Sequence, residues 1–148
     1  MSFDANDLDF LSSAVIPVRL SVLKAGGAPA LASLWFEPHE DALWCAVQED
    51  AFIARCLGND PRCAFEVAGD LPPYKGLRGP ATGRVEAAEG KDVLARLLDR
   101  YLGEGNAELR DWLWSRAESE VALRIVPERI TRWDFSARMQ PSGPSNRP

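Results

Sequence analysis

The sequence predicts a mainly β protein with helices, an α+β fold built as a small closed barrel with helices packed on its outside. Short runs rich in β-branched and apolar residues recur along the chain between Gly, Pro and Asp turns. One helical segment, at residues 51–57, interrupts them where a plain β-meander would have a hairpin. A helical pair with apolar periodicity follows between residues 91 and 117. Closure into a barrel removes the sheet edges that so many short strands would expose.

The first third of the chain predicts one helix and three strands. Residues 4–14 form the helix, with Asp4 as its N-cap and a partial apolar stripe. Residues 24–27 form a hairpin turn, in which glycine supplies the positive φ that such turns need. Residues 37–41 are predicted to be a turn without a strand. The strands are predicted at residues 15–23, 30–36 and 43–48.

The middle of the chain predicts the inserted helix and two further strands, at residues 63–68 and 77–87. Asp50 is the predicted N-cap of the helix, and Pro61 prevents its continuation. The second strand carries Gly79, Pro80 and Gly83. Glycine and proline within a strand favour a bulge or a close backbone approach.

The last third predicts the helical pair and two more extended segments, at residues 120–125 and 129–135. The first helix, 91–102, has one apolar face and ends at a glycine; Asn106 is the predicted N-cap of the second. Residues 141–148 are rich in Pro and Ser and are predicted to be a disordered tail. The remainder, 1–140, is expected to be a single domain.

Composition narrows the class of protein. The net charge of −5 argues against a general nucleic-acid binder, and no apolar run is long enough for a membrane helix. Three cysteines without Cys-x-x-Cys spacing, and an N-terminus without the features of a signal peptide, favour reduced thiols in a cytoplasmic protein. The one histidine, His39, falls in a predicted turn, so a metal site is not expected. Four arginines in the last quarter are interpreted as solvated charges rather than an anion site; they are Arg124, Arg129, Arg132 and Arg138.

Familiar catalytic motifs are missing from the sequence. It has no G-x-S-x-G elbow, no P-loop and no G-x-G-x-x-G fingerprint. With a single histidine in a predicted turn, little supports acyl transfer, and no catalytic acid or base can be assigned. If the protein is an enzyme, a bound cofactor is expected to carry the chemistry.

From Val15 to Met139, the order of segments resembles the pyridoxamine 5'-phosphate oxidase-like family, the FMN-binding split β-barrels. The segments that carry the resemblance keep the family's order and spacing. They are the hairpin Gly27-Ala28-Pro29, the strands at 32–36 and 43–48, the segment at 57–62 after the inserted helix, the Gly-interrupted strand after Tyr74, and the ending at 127–135.

The resemblance implies a homodimer with FMN at the subunit interface. The flavin ring of such proteins rests against the second and third strands, and an aromatic side chain from the partner subunit approaches it; Trp133 matches that aromatic position. Packing alone is the alternative role for Trp35 and Trp133, and it is the preferred one for Phe36. The matching strand positions are Ser33, Leu34, Trp35, Ala46, Val47 and Gln48.

The phosphate site departs from the family pattern. Relatives often carry an Arg-Lys pair at the start of the inserted helix, where Phe52 and Ile53 stand here. Arg55, Lys75 and Arg78 are the candidates to replace that pair. The alternative is that Arg55 is a solvated helix charge and that the other two belong to a basic loop facing water.

The favoured interpretation is an FMN-binding oxidoreductase that acts on an unknown small molecule. A deazaflavin-dependent reductase on the same fold is one alternative, and it favours Lys75 and Arg78 as anion ligands. A dimeric ligand-binding protein or scaffold without turnover is another, because the usual phosphate pair is missing.

Overall fold

The structure, a computed structural model, describes residues 3–139. The predicted disordered tail at 141–148 lies outside the described residues. The helices are α1 Ala5–Ser13, α2 Phe52–Asn59, α3 Gly90–Leu102 and α4 Ala107–Ser115. The strands are β1 Val18–Leu23, β2 Pro29–Leu34, β3 Glu37–His39, β4 Ala42–Gln48, β5 Arg62–Ala68, β6 Lys75–Glu86, β7 Glu120–Pro127 and β8 Thr131–Asp134.

The strands form one curled antiparallel sheet in the order β2-β1-β5-β6-β7-β4-β3, with β8 paired to the first residues of β6. Alternation along β1 places Val18, Leu20 and Val22 in the core and turns Arg19 outward. Helices α1 and α2 cover the core through buried residues such as Leu11 and Leu57. The sheet thus keeps a separate outer face that these two helices do not cover.

Two local predictions were wrong. Residues 37–41 are not only a turn, because Glu37–His39 forms β3 and pairs with β4. Glu40 adopts a positive φ of 57° and closes this tight hairpin. The inserted helix is capped at Ala51, without a side-chain hydrogen bond, and not at the predicted Asp50.

Glycines let other parts of the chain approach β6 closely, as its sequence predicted. A Cβ added at Gly79 would lie 1.8 Å from the Arg129 carbonyl oxygen. At Gly76 the same atom would lie 2.6 Å from the Trp133 ring. Gly79 also falls where β6 changes its partner from β8 to β7. The close approach is therefore made by the protein's own backbone and side chains.

Helix α3 is tied to α1 and to the start of the sheet by two neighbouring side chains. The Arg100 guanidinium donates to three carbonyl groups at the end of α1, including that of Leu11 at 2.7 Å. The Tyr101 hydroxyl accepts from Phe36 N at 3.1 Å and lies 2.8 Å from the Ile16 carbonyl oxygen. These bonds fix α3 against the end of α1 and against the segments that flank β1 and β2.

The described cysteines are free thiols: Cys45 and Cys56 are buried and Cys63 is half-buried. Burial raises the pKa of Cys63 to about 12 and also raises the pKa of Cys45. Both thiols are neutral at pH 7, as expected for structural cysteines. Within residues 3–139, no helix is long and apolar enough to cross a membrane.

An ion pair between a buried aspartate and an exposed arginine joins α1 to β8. The Asp7 side chain is 3% exposed and accepts from Arg132 Nε and Nη2, both at 2.7 Å. Asp7 also accepts from the Asp4 backbone, completing a reciprocal capping box. The hydrogen bonds from Arg132 lower the pKa of Asp7, and burial opposes that shift. Arg132 is therefore a structural residue and not only a solvated charge.

Replacing Asp7 by Asn should lower the free energy of unfolding at pH 7 by about 2 kcal/mol, because it removes a charge-assisted double hydrogen bond. The folded-state pKa of Asp7 lies below its unfolded value. Its contribution is therefore complete above the unfolded pKa of about 3.9 and is lost as pH falls through the folded pKa. Urea unfolding across acid pH measures both effects. Asp9→Asn, at an exposed position of α1, is the control, and an equal loss in the two variants would contradict the assignment.

Candidate functional site

A row of polar side chains crosses the outer face of the sheet. Consecutive members are directly opposite each other on neighbouring antiparallel strands, from β2 through β1, β5 and β6 to β8. Directly opposed residues project from the same face, so the row lies on the side away from the core. Its members are Ser33, Arg19, Glu66, Arg78 and Thr131.

A second row of small and apolar residues runs beside the first. Its members, Leu31, Ser21, Ala64 and Pro80, are again directly opposed across four strands. The two rows and Arg129 line an open trough of about 540 Å³. This volume is within the usual range for small-molecule and cofactor sites.

The trough is positively charged although the chain is acidic. Among the described residues, three arginines line it, Arg19, Arg78 and Arg129, against a single carboxylate, Glu66. Within residues 3–139, no carboxylate lies within ion-pair distance of any of the three arginines. Guanidinium groups that face solvent together on one concave surface are suited to bind a phosphate or carboxylate.

Trp133 extends the same outer face next to the trough. It is directly opposite Gly76 on β6, and its ring occupies the space that a side chain at Gly76 would need. The Arg78 guanidinium carbon lies 5.2 Å from the centre of the Trp133 ring. The tryptophan ring therefore supports the Arg78 guanidinium through a cation–π contact.

A second cavity, of about 360 Å³, lies between the sheet and the helical pair. We call it the helical cleft. Trp35 forms part of its wall and stacks on Tyr101, with ring centres 4.9 Å apart and planes at 5°. The cleft is lined by Ser33, Leu34, Trp35, Ala46, Leu94, Leu97, Leu109, Leu113 and Glu120.

The structure divides the predicted site residues between several places. Ser33 borders both cavities; Leu34, Trp35 and Ala46 line the helical cleft, and Arg78 lines the trough.

Lys75 and Trp133 line a third cavity, of about 600 Å³, beside α1. The Lys75 ammonium lies 5.2 Å from the centre of the Phe10 ring. Leu77, two residues from Lys75 on β6, is buried in the core, whereas Arg78 is exposed. Lys75 and Arg78 therefore project from opposite faces of β6 and line different cavities.

Val47, Gln48 and Arg55 line none of these three cavities within the described chain. Arg55 Nη1 donates to the Asp50 carbonyl oxygen at 2.9 Å, so the Arg55 guanidinium lies against the backbone that precedes α2. The first two helical residues, Phe52 and Ile53, are half-exposed and buried, respectively, and neither can donate a side-chain hydrogen bond.

Sequence reasoning did not single out Arg19, Glu66 or Glu120, and it assigned Arg129 to solvent. Alternation within β1 and β5 indicates that Arg19 and Glu66 point outward. Only the register of β1, β5 and β6 shows that they are neighbours of Arg78.

Comparison with known proteins assigns the fold. No family model matches the chain, and no curated protein matches it. Among solved structures, the conserved hypothetical protein Rv2991 from Mycobacterium tuberculosis is similar with a TM-score of 0.75 at 22% identity, over 99% of this chain and 96% of that one.

Two further structures carry names that bear on the fold family. An F420 reductase is similar with a TM-score of 0.67 at 18% identity, over 83% of this chain and 94% of that chain. A protein described as a candidate pyridoxamine 5'-phosphate oxidase from Listeria innocua has a TM-score of 0.64 at 16% identity, over 86% and 95% of the two chains. The chain therefore has the split β-barrel fold of the pyridoxamine 5'-phosphate oxidase-like proteins, and the fold predicted from its sequence is confirmed.

Proposed function

We propose that this protein is an oxidoreductase that binds a flavin-type cofactor, FMN in the first instance, and acts on a small molecule. The observation that carries the proposal is the arginine-lined trough across the outer face of the sheet. The names of similar structures, which include an F420 reductase and a FAD-binding protein from Mesorhizobium loti, support a cofactor of this class.

The residues of the trough fit such a cofactor. Arg19, Arg78 and Arg129 supply several N–H donors for a phosphate, and the apolar row beside them offers a surface for a planar ring. Bound there, a flavin would supply hydride or electron transfer. The protein's part is to bind and orient it and to limit the access of water.

The sheet face is a better phosphate site than the start of α2. Phe52 and Ile53 offer no donor there, and Arg55 is bonded to a backbone carbonyl group of its own segment. The alternative cofactor, a deazaflavin coenzyme, would use the same trough through Arg78. Lys75, which the sequence paired with Arg78, lies on the opposite face of the strand.

The same face is proposed as the interface of a homodimer. Leu31, in the apolar row, is 78% exposed, and a partner copy across the trough would remove it from water. Free thiols among the described cysteines suit a cytoplasmic location, which we also propose.

Replacing Leu31 by Glu should convert the dimer to monomer, because it puts a strongly hydrated carboxylate in place of the apolar side chain that the proposed contact would bury. Sedimentation equilibrium measures the change. Leu71, which is 80% exposed in the loop between β5 and β6, provides the matched control Leu71→Glu. A wild-type monomer, or equal behaviour of the two variants, would contradict this interface.

Titration with FMN, riboflavin and a deazaflavin coenzyme tests the proposed function. Quenching of cofactor fluorescence should be saturable for FMN or for the deazaflavin, and riboflavin should bind at least about 10-fold more weakly than FMN because it has no phosphate. A protein that binds neither phosphorylated cofactor would instead support the scaffold alternative.

A further inference from the structure

Within the described residues, Glu120 is the one ionisable residue among those that line the helical cleft. Glu120, the first residue of β7, lines the cleft together with side chains such as Trp35, Leu97 and Leu113. Its Oε2 atom is fully buried and, within residues 3–139, has no hydrogen-bond partner. An unpaired carboxylate oxygen away from water is costly, so it marks a place where a donor would be stabilised.

Neighbouring donors do not satisfy that oxygen. The Gln48 amide donates to the Arg116 carbonyl oxygen at 3.2 Å. Burial raises the pKa of Glu120; a hydrogen bond from the Gln48 side chain to the carboxyl group and the charge of Arg116 offset that shift only in part, and neither leaves Oε2 with a hydrogen-bond partner.

The backbone holds Glu120 in a fixed position. Glu120 is directly opposite Gln48 on β4, and a Cβ at Gly90, where α3 begins, would lie 2.1 Å from the Glu120 carbonyl oxygen. Such close packing of α3 on β7 fixes the main chain that carries the carboxylate. The backbone from which Glu120 projects is thus already in place before a ligand binds.

Helix α4 covers the cleft without being buried itself. It places Leu109 and Leu113 on the cleft, yet none of its residues is buried. Gly103 adopts a positive φ of 55° at the end of α3, and a side chain at Gly105 would meet no other atom within 4 Å. Arg110 nevertheless ties α4 to the end of α3, because it donates to the Asp99 carboxylate and to the Gly103 carbonyl oxygen, both at 2.8 Å.

We propose that the helical cleft binds a small amphipathic amine, with its apolar part against Trp35 and Leu113 and its ammonium group on Glu120. The volume of about 360 Å³ lies at the lower end for ligand pockets, which favours a compact molecule. The apolar walls bind its hydrocarbon part, and the unpaired carboxylate selects the cation. Four residues of the cleft, Ser33, Leu34, Trp35 and Ala46, match the flavin-ring positions of the resemblance, but the cleft shares only Ser33 with the arginine-lined trough, so the two sites can be tested separately.

This site can be tested by titrating the protein with 2-phenylethylamine and, separately, with 2-phenylethanol. Ligand-observed NMR at pH 7 measures the binding of each probe. The two probes share the apolar part and differ in the cation. The wild-type protein should bind the amine about 10-fold more tightly than the alcohol, the effect of one charge-assisted hydrogen bond. Glu120→Gln should remove that preference while still binding the alcohol.

Two variants provide controls. Glu118→Gln changes an exposed carboxylate two residues away and should leave the preference intact. Ala46→Leu places a larger side chain in the cleft from the sheet side and should weaken the binding of both probes. Thermal unfolding of each variant establishes that it is folded. Three results would overturn the proposal. The wild type could bind the two probes equally, Glu120→Gln could keep the preference for the amine, or neither probe could bind at about 10 mM.

Discussion

Replacing Arg78 by Ala should weaken the binding of FMN by about 10- to 100-fold, the effect of losing one charge-assisted contact to a phosphate. Arg78 lies in the polar row between Glu66 and Thr131, and Trp133 supports its guanidinium from one side. The lost contact is specific for the anion, so the affinity for riboflavin should change little. Fluorescence titration of both ligands measures the difference.

Arg84→Ala is the matched control for this experiment. Arg84 is exposed on the same strand, but it does not line the trough. Its removal should leave the affinity for FMN within about twofold of the wild type, since distant exposed charges are screened by salt. Equal losses in the two variants would show that general charge, and not the trough, attracts the cofactor. An unchanged affinity in Arg78→Ala would remove that arginine from the site.

Replacing Gly79 by Ala should lower the free energy of unfolding by about 3 kcal/mol, because the added methyl group overlaps a backbone atom that cannot rotate away. The new Cβ would lie 1.8 Å from the Arg129 carbonyl oxygen. The conflict can be relieved only by moving the segment that joins β7 to β8. The same movement displaces Arg129, so the variant should also bind the cofactor less tightly.

Gly58→Ala is the control for the stability measurement. Gly58 lies within α2, and a Cβ there would meet no other atom within 4 Å. This change should be neutral or stabilise the protein by up to about 1 kcal/mol, because alanine is the better helix former. Urea unfolding of both variants gives the comparison. A Gly79→Ala protein as stable as the wild type would show that the segments at Gly79 and Arg129 are not in fixed contact.

Most of the fold could be predicted from the sequence because its patterns are local. The alternation of β1, the apolar face of α3 and the glycine turn before β2 each determine one element without reference to the others. The missed strand β3 is three residues long and contains proline and histidine, so its pairing with β4 determines it rather than its own propensity. The cap of α2 was misplaced by one residue, an ordinary error at helix ends.

The candidate site could be predicted only in part, because it depends on which residues of neighbouring strands are paired with each other. Arg78 was identified from its sequence context, and the glycines of β6 correctly indicated a close approach. That Arg19 and Arg78 are both opposite Glu66 follows from the pairing of β5 with β1 and with β6. No local pattern specifies this alignment.

Glu120 illustrates a second limit of the sequence. In the chain it is one of several glutamates near the end of the helical pair and has no distinguishing motif. Its unpaired oxygen becomes evident only when α3, α4 and β4 are packed around it.

A crystal structure of the protein with FMN bound would test the central claim most directly. We expect the phosphate within hydrogen-bond distance of Arg78 and of at least one of Arg19 and Arg129, in the trough on the outer face of the sheet. A phosphate bound at the start of α2 beside Arg55, or a flavin confined to the helical cleft, would contradict the account.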